Sequence, residues 1–76
     1  RVNAISPGPV STPIFGKTGI PAEQMDNMKA SILSQVPIGR LGDPAEIARV
    51  ATFFASDDST FVLGAELIAD GGMVGL

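Results

Sequence analysis

Asp43-Pro44-Ala45-Glu46-Ile47-Ala48-Arg49-Val50-Ala51-Thr52-Phe53-Phe54-Ala55-Ser56 is the stretch on which the fold turns. Asp43 suits a helix N-cap, Pro44 suits the first helical turn, and Glu46 stands three residues after the cap, where its carboxylate can reach back to the cap's own N–H. Ile47, Val50, Ala51 and Phe54 follow the i, i+3, i+4, i+7 spacing of one helix face. Phe53 adds a second apolar direction, so this helix is expected to be covered on more than one side. Ser56-Asp57-Asp58-Ser59 ends it in a solvated, acidic turn.

The neighbouring segments fall into place around this helix. Downstream, Phe61 to Gly64 connects to a short strand over Ala65–Ala69, with Leu67 and Ile68 on opposite faces and Asp70-Gly71-Gly72 closing it. Upstream, Pro37 to Gly42 is irregular. Before it, Pro21 to Gln35 reads as a helix with a thin stripe of Met25, Met28 and Ile32, and Val36 four residues on. Methionine adapts to irregular surfaces, so this helix faces either a ligand or a small satellite core. Arg1 to Ser6 reads as a strand, broken by Pro7-Gly8-Pro9, since proline lacks the backbone donor a ladder needs. The order is strand, loop, helix, helix, strand. Two strands joined by a helical crossover are expected to be parallel neighbours in one sheet. Such a sheet is covered on both faces and needs more than two strands. The chain therefore reads as the last part of an α/β domain.

Composition narrows the chemistry. The chain has 76 residues, no cysteine, no histidine, no tyrosine and no tryptophan. Disulfides, thiolate nucleophiles and histidine-based acid–base catalysis are excluded within it. A zinc site would have to be built from carboxylates alone, which zinc rarely accepts, so no metal site is expected. Five basic residues stand against eight acidic ones, and Arg1, Lys17, Lys29, Arg40 and Arg49 are scattered, so nucleic-acid binding is not expected. No apolar run approaches the roughly 18 residues that span a bilayer. Yet 45% of residues are hydrophobic and mean hydropathy is +0.33. That is apolar for so short a chain and suggests faces meant for something else to cover.

The loop after the first strand is the place to look for a site, because ligands of open α/β sheets gather beyond the carboxyl ends of the strands. Pro7, Pro9 and Pro13 stiffen it. Gly8 allows a flat ligand to approach the backbone. Val10 keeps its N–H, and the Ser11 and Thr12 hydroxyls can bond an amide or a phosphate. On these residues alone the loop reads first as a plain turn, with a small phosphate site resting only on Ser11 and Thr12.

Four stretches carry a resemblance. Arg1-Val2-Asn3-Ala4-Ile5-Ser6-Pro7-Gly8-Pro9-Val10-Ser11-Thr12-Pro13 is similar to the segment that follows the catalytic helix in short-chain dehydrogenases/reductases. Pro37-Ile38-Gly39-Arg40-Leu41-Gly42-Asp43-Pro44-Ala45-Glu46-Ile47-Ala48 resembles that family's entry to its last long helix. Phe53-Phe54-Ala55-Ser56-Asp57-Asp58-Ser59 and Gly64-Ala65-Glu66-Leu67-Ile68-Ala69-Asp70-Gly71-Gly72 resemble the end of that helix and the last strand. The motifs occur in the family's order across nearly the whole chain. The resemblance implies that residues 1–76 are the C-terminal portion of a Rossmann-type, doubly wound parallel sheet, belonging to an NAD- or NADP-dependent oxidoreductase acting on an alcohol or carbonyl substrate.

Position by position, the resemblance implies that Pro7 and Gly8 line the nicotinamide side of the cofactor pocket. It implies that the Val10 N–H meets the nicotinamide carboxamide, and that the Thr12 hydroxyl bonds the carboxamide or a cofactor phosphate. Pro9 falls where the family's side chain varies. Residues 14–36 match the family's variable substrate-binding insertion. Ile14, Phe15, Ile20, Met25 and Met28 would form either an apolar lid with Gly16 and Gly19 as flexible points, or a static cover. The resemblance also implies a homodimer or homotetramer through 43–56 and 65–72, and the lack of cysteine fits a cytoplasmic enzyme.

No catalytic residue is expected in the chain. The family's proton donor is a tyrosine followed four residues later by a lysine, and there is no tyrosine here. The glycine-rich turn that cradles a pyrophosphate is also missing, so the isolated chain is expected to be inactive. Asp43 and Glu46 read as capping residues, Arg40 as a structural clamp or interface residue, and Asp70 as turn chemistry. The competing reading is a non-catalytic, self-associating module derived from the same fold.

Overall fold

The computed structural model describes residues 1–12 and 19–75. The elements are β1 (Ala4–Pro7), α1 (Ala22–Leu33), α2 (Pro44–Ala55), a single 3-10 turn (Asp57–Ser59) and β2 (Glu66–Ala69). β1 and β2 pair in parallel, with Ala4 opposite Glu66 and Pro7 opposite Ala69, so the expected α/β order and parallel pairing are present. Of the residues expected to form a lid, Ile14, Phe15 and Gly16 lie outside the described residues. Among the described residues, no helix is long and apolar enough to cross a membrane.

β1 runs one residue further than the sequence suggests and includes Pro7. The ladder explains why. Ala4 N donates to Ala65 O at 2.8 Å and Gly8 N donates to Ala69 O at 3.0 Å. In a parallel ladder the N–H groups that face one partner alternate along the strand. Ile5 and Pro7 therefore turn their nitrogens toward the opposite edge, and the donor that Pro7 lacks is one that β2 never needed.

α2 is fastened at both ends. Asp43 Oδ1 accepts from Ala45 N at 2.9 Å, Glu46 Oε1 accepts from Asp43 N at 2.9 Å, and the capping box closes as its spacing predicts. At the other end the Arg1 guanidinium gathers the orphan carbonyls. It donates to Phe54 O at 3.0 Å, Ser56 O at 3.3 Å, Ser59 O at 2.8 Å and Ser59 Oγ at 3.0 Å. A cation is favoured there by the helix dipole as well as by hydrogen bonding. Ser59, only 1% exposed, donates its hydroxyl to Phe53 O at 2.7 Å. Asn3 fixes the approach to β2, its side chain donating to Val62 O at 3.0 Å and accepting from Ala65 N at 2.9 Å.

α1 begins without a side-chain cap. Its N-cap is Pro21, which offers no side-chain hydrogen bond, and none of its residues is buried. The connection after it is anchored by Val36, which is 4% exposed, and by Ile38 N donating to Gly71 O at 3.1 Å. Val36 and Ser59 are the only buried residues among those described, whereas Phe61 is 99% exposed and Val2 83%. The Cα radius of gyration is 14.9 Å, against about 11 Å for a compact chain of this length. The described elements enclose no sizeable core, and apolar side chains stand on their outside.

Candidate functional site

β1 hands over to the loop at Pro7, beside the carboxyl end of β2. Pro7 and Gly8 line a concavity of about 320 Å³ with Ser6, Glu66, Ile68, Asp70, Met73 and Val74. Ser6 Oγ donates to Glu66 Oε2 at 2.6 Å across its floor. Gly8 has a structural reason of its own. A Cβ at this position would lie 2.5 Å from Asp70 Cβ and 2.6 Å from Asp70 Cα, so only glycine lets the loop pass the end of β2. Asp70 is held in turn, as its Asp-Gly-Gly context predicts. Its Oδ1 accepts from Gly72 N at 2.9 Å and its Oδ2 from Val74 N at 3.0 Å, so both oxygens serve the turn.

Val10 stands in a different setting. It forms an isolated parallel bridge with Gly42, in which Gly42 N donates to Pro9 O at 2.9 Å and Ser11 N donates to Gly42 O at 2.9 Å. In such a bridge the central residue's own N–H points away from the partner. Among the described residues nothing accepts from the Val10 N–H, and nothing bonds the hydroxyl of the exposed Thr12. Pro7 and Gly8 thus share one concavity, while Val10 and Thr12 stand further along the loop with a free backbone donor and a free hydroxyl. This donor set fits the carboxamide of a flat ring: Pro7 and Gly8 as a wall, with N–H and O–H groups further along the loop.

The loop's other flank faces a second cleft of about 510 Å³. Pro9 meets it there, together with Arg40, Gly42, Glu46, Ile47, Val50 and Gly71. At its rim Arg40 grips Glu46 with two parallel bonds, Nη1 to Oε1 at 2.7 Å and Nη2 to Oε2 at 3.0 Å. The Arg40 hydrogen bonds, joined by the one from Asp43 N, hold the Glu46 carboxyl down at about 2. The same pairing raises the Arg40 guanidinium above its usual range. A carboxylate held this firmly ionised is no proton shuttle near neutral pH, and the pair behaves as the structural clamp expected of Arg40. Among the described residues no three acidic side chains gather as a metal site.

Sequence reasoning missed Gly42, whose backbone holds the loop, and Arg1, whose side chain holds α2. Neither has a local signature: Gly42 looks like any residue ahead of an N-cap, and the partners of Arg1 lie more than 50 positions away.

The family model described as enoyl-(acyl carrier protein) reductase matches residues 1–74. The chain is 45% identical over 76 residues to an uncharacterized oxidoreductase, YxbG, of Bacillus subtilis, covering 97% of this chain and 28% of that protein. It is 42% identical over 74 residues to the 3-oxoacyl-[acyl-carrier-protein] reductase FabG of Thermotoga maritima, with the same coverage of 97% and 28%. Among solved structures, a short-chain dehydrogenase/reductase of Brucella melitensis, glucose/ribitol dehydrogenase, superposes with a TM-score of 0.81 at 34% identity, over 100% of this chain and 29% of that one. An Agrobacterium tumefaciens protein with bound NADP superposes with a TM-score of 0.85 at 33% identity, again over 100% and 29%. The chain thus spans less than a third of the length of each of these relatives.

Proposed function

The chain belongs to the short-chain dehydrogenase/reductase family, and on that footing we propose that it is the C-terminal segment, residues 1–76, of a longer NAD- or NADP-dependent oxidoreductase whose nicotinamide is received by the loop Pro7–Thr12. The observation that carries this reading is the Val10 N–H, which its bridge to Gly42 turns away from the partner and from which no described residue accepts, beyond the carboxyl end of a parallel sheet. Pro7 and Gly8 form the wall against the ring, the Val10 N–H donates to the carboxamide, and the Thr12 hydroxyl bonds the carboxamide or a phosphate. The nicotinamide, when bound, supplies the hydride chemistry; this segment binds and orients it. The substrate is an alcohol or carbonyl compound. Residues 14–36, including α1, cover it as a lid.

The chain has no tyrosine, so the proton donor for the alcohol or carbonyl oxygen comes from outside these 76 residues, and the isolated chain is inactive. Self-association through 43–56 and 65–72 into a dimer or tetramer gives the exposed Phe53 and Ile68 a use. The enzyme works in the cytoplasm. The test is Thr12→Val in the full-length enzyme, with Thr12→Ser as the variant that keeps the hydroxyl. Thr12→Val is expected to weaken binding of the reduced cofactor by about three- to tenfold, read from nicotinamide fluorescence, and Thr12→Ser to restore most of it. Equal affinities in all three proteins would remove Thr12 from the site.

A further inference from the structure

Among the described residues, the backbone on either side of Val10 is held by Gly42, in another part of the chain. Gly42 donates its N–H to Pro9 and accepts from Ser11, so both of its backbone groups hold the residues that flank Val10. Gly42 is itself enclosed. Two residues before it, Arg40 reaches over the bend to Glu46 with two bonds and also donates to Leu41 O at 3.2 Å. One residue after it, Asp43 N donates to the same Glu46 carboxylate. Glu46 therefore closes a ring around Gly42 from both sides, and the ring stands on the first turn of α2. This is more than an N-terminal cap needs. Asp43 and Glu46 already satisfy the helix's orphan donors, and Arg40 adds nothing to that task. What Arg40 adds is a fixed path for Leu41 and Gly42.

We infer that Arg40 and Glu46 are positioning residues for cofactor binding, setting through Gly42 where the Val10 N–H stands. The inference rests on the reading of the loop as the nicotinamide-side contact. It separates two roles that one clamp could have. A clamp that merely stabilises α2 would affect the whole protein alike. A clamp that places the Val10 N–H affects only the part of the cofactor that meets that N–H. A misplacement of the order of 1 Å is enough to weaken a directed contact.

The test uses the full-length enzyme and two probes. One is the reduced cofactor, followed by nicotinamide fluorescence. The other is ADP-ribose, or its 2′-phosphate for an NADP enzyme, followed by calorimetry; it carries the adenosine and pyrophosphate but no nicotinamide. Glu46→Gln removes the charge, and Arg40→Lys keeps a charge but loses the paired geometry. Both variants are expected to bind the reduced cofactor about three- to tenfold more weakly while binding ADP-ribose within about twofold of the parent. Loss of affinity for both probes to the same degree would mean a general structural role and overturn the inference, as would no change for either. Thr12→Val tells the two readings apart. If it weakens the reduced cofactor alone while Glu46→Gln and Arg40→Lys do not, the loop reading stands and the positioning role falls. If Thr12→Val is also silent, the loop reading falls and takes the positioning role with it.

Discussion

α1 and α2 are both twelve residues long, yet the chain treats them in opposite ways. α2 has a closed capping box at its start, a cation over its last carbonyls, and a bridge from the residue before its cap to the loop after β1. α1 starts on a proline without a side-chain cap, although, like α2, it has no fully buried residue. Twelve residues is short for a helix to hold its shape without tertiary help. α2 gets that help at both ends, from its capping box and from Arg1. The difference lies in how the two helices begin and in what meets their last carbonyls.

The comparison can be broken most directly at Arg1. Arg1→Ala removes charge-assisted bonds to Phe54, Ser56 and Ser59, and leaves their carbonyls without a cation. A loss of about 2–3 kcal/mol is expected in denaturant unfolding of the full-length protein, with faster amide exchange concentrated in the last turn of α2. Unchanged exchange there would mean that α2 does not depend on this anchor. Asp43→Ala acts at the other end and should cost about 1 kcal/mol, the usual worth of an N-cap side chain. A negligible change would show that Glu46 alone secures the start of α2.

The pH dependence of Glu46 sharpens the same contrast. Its carboxyl is depressed to about 2 from an ordinary 4.5. The folded protein therefore holds this proton less readily than the unfolded chain. The stabilisation is fully present above about pH 4.5 and is lost as pH falls toward 2. Glu46→Gln should flatten that part of the acid limb of the stability curve and leave its shape above pH 6 alone. A parallel offset at every pH would count against the assignment. The smallest effect is expected in α1. Met28 is 36% exposed, and Met28→Gln should change stability by less than about 0.5 kcal/mol. A loss of several kcal/mol would show that α1 is packed as firmly as α2.

The contrast also marks what could be read from the sequence. The start of α2 was legible because Asp43, Pro44 and Glu46 act within four residues of one another. The Asp70 turn was legible for the same reason. The two parallel strands followed from the crossover between them. The end of β1 was misread by one residue, because whether a proline interrupts a strand depends on which way its nitrogen faces, and that is set by pairing with β2. The Val10–Gly42 bridge is a pure backbone contact between distant segments, and no side-chain pattern announces it. Gly8 suggests room for a ligand in the sequence, and the nearest demand on it in the fold is Asp70, whose Cβ and Cα would lie within 2.6 Å of an added Cβ.

Pro7 has one more effect, on the edge of β1 that faces away from β2. Ile5 presents both an N–H and a C=O along that edge, whereas Pro7 presents only a C=O. A strand laid parallel there could exchange bonds as far as Ile5, and one residue beyond it would find no donor. Its carbonyl at that level would be left without a backbone partner, and such a group must be met by water, a side chain or a bound molecule. One missing hydrogen thus makes the sheet part at its carboxyl end, beside the loop that begins with Gly8.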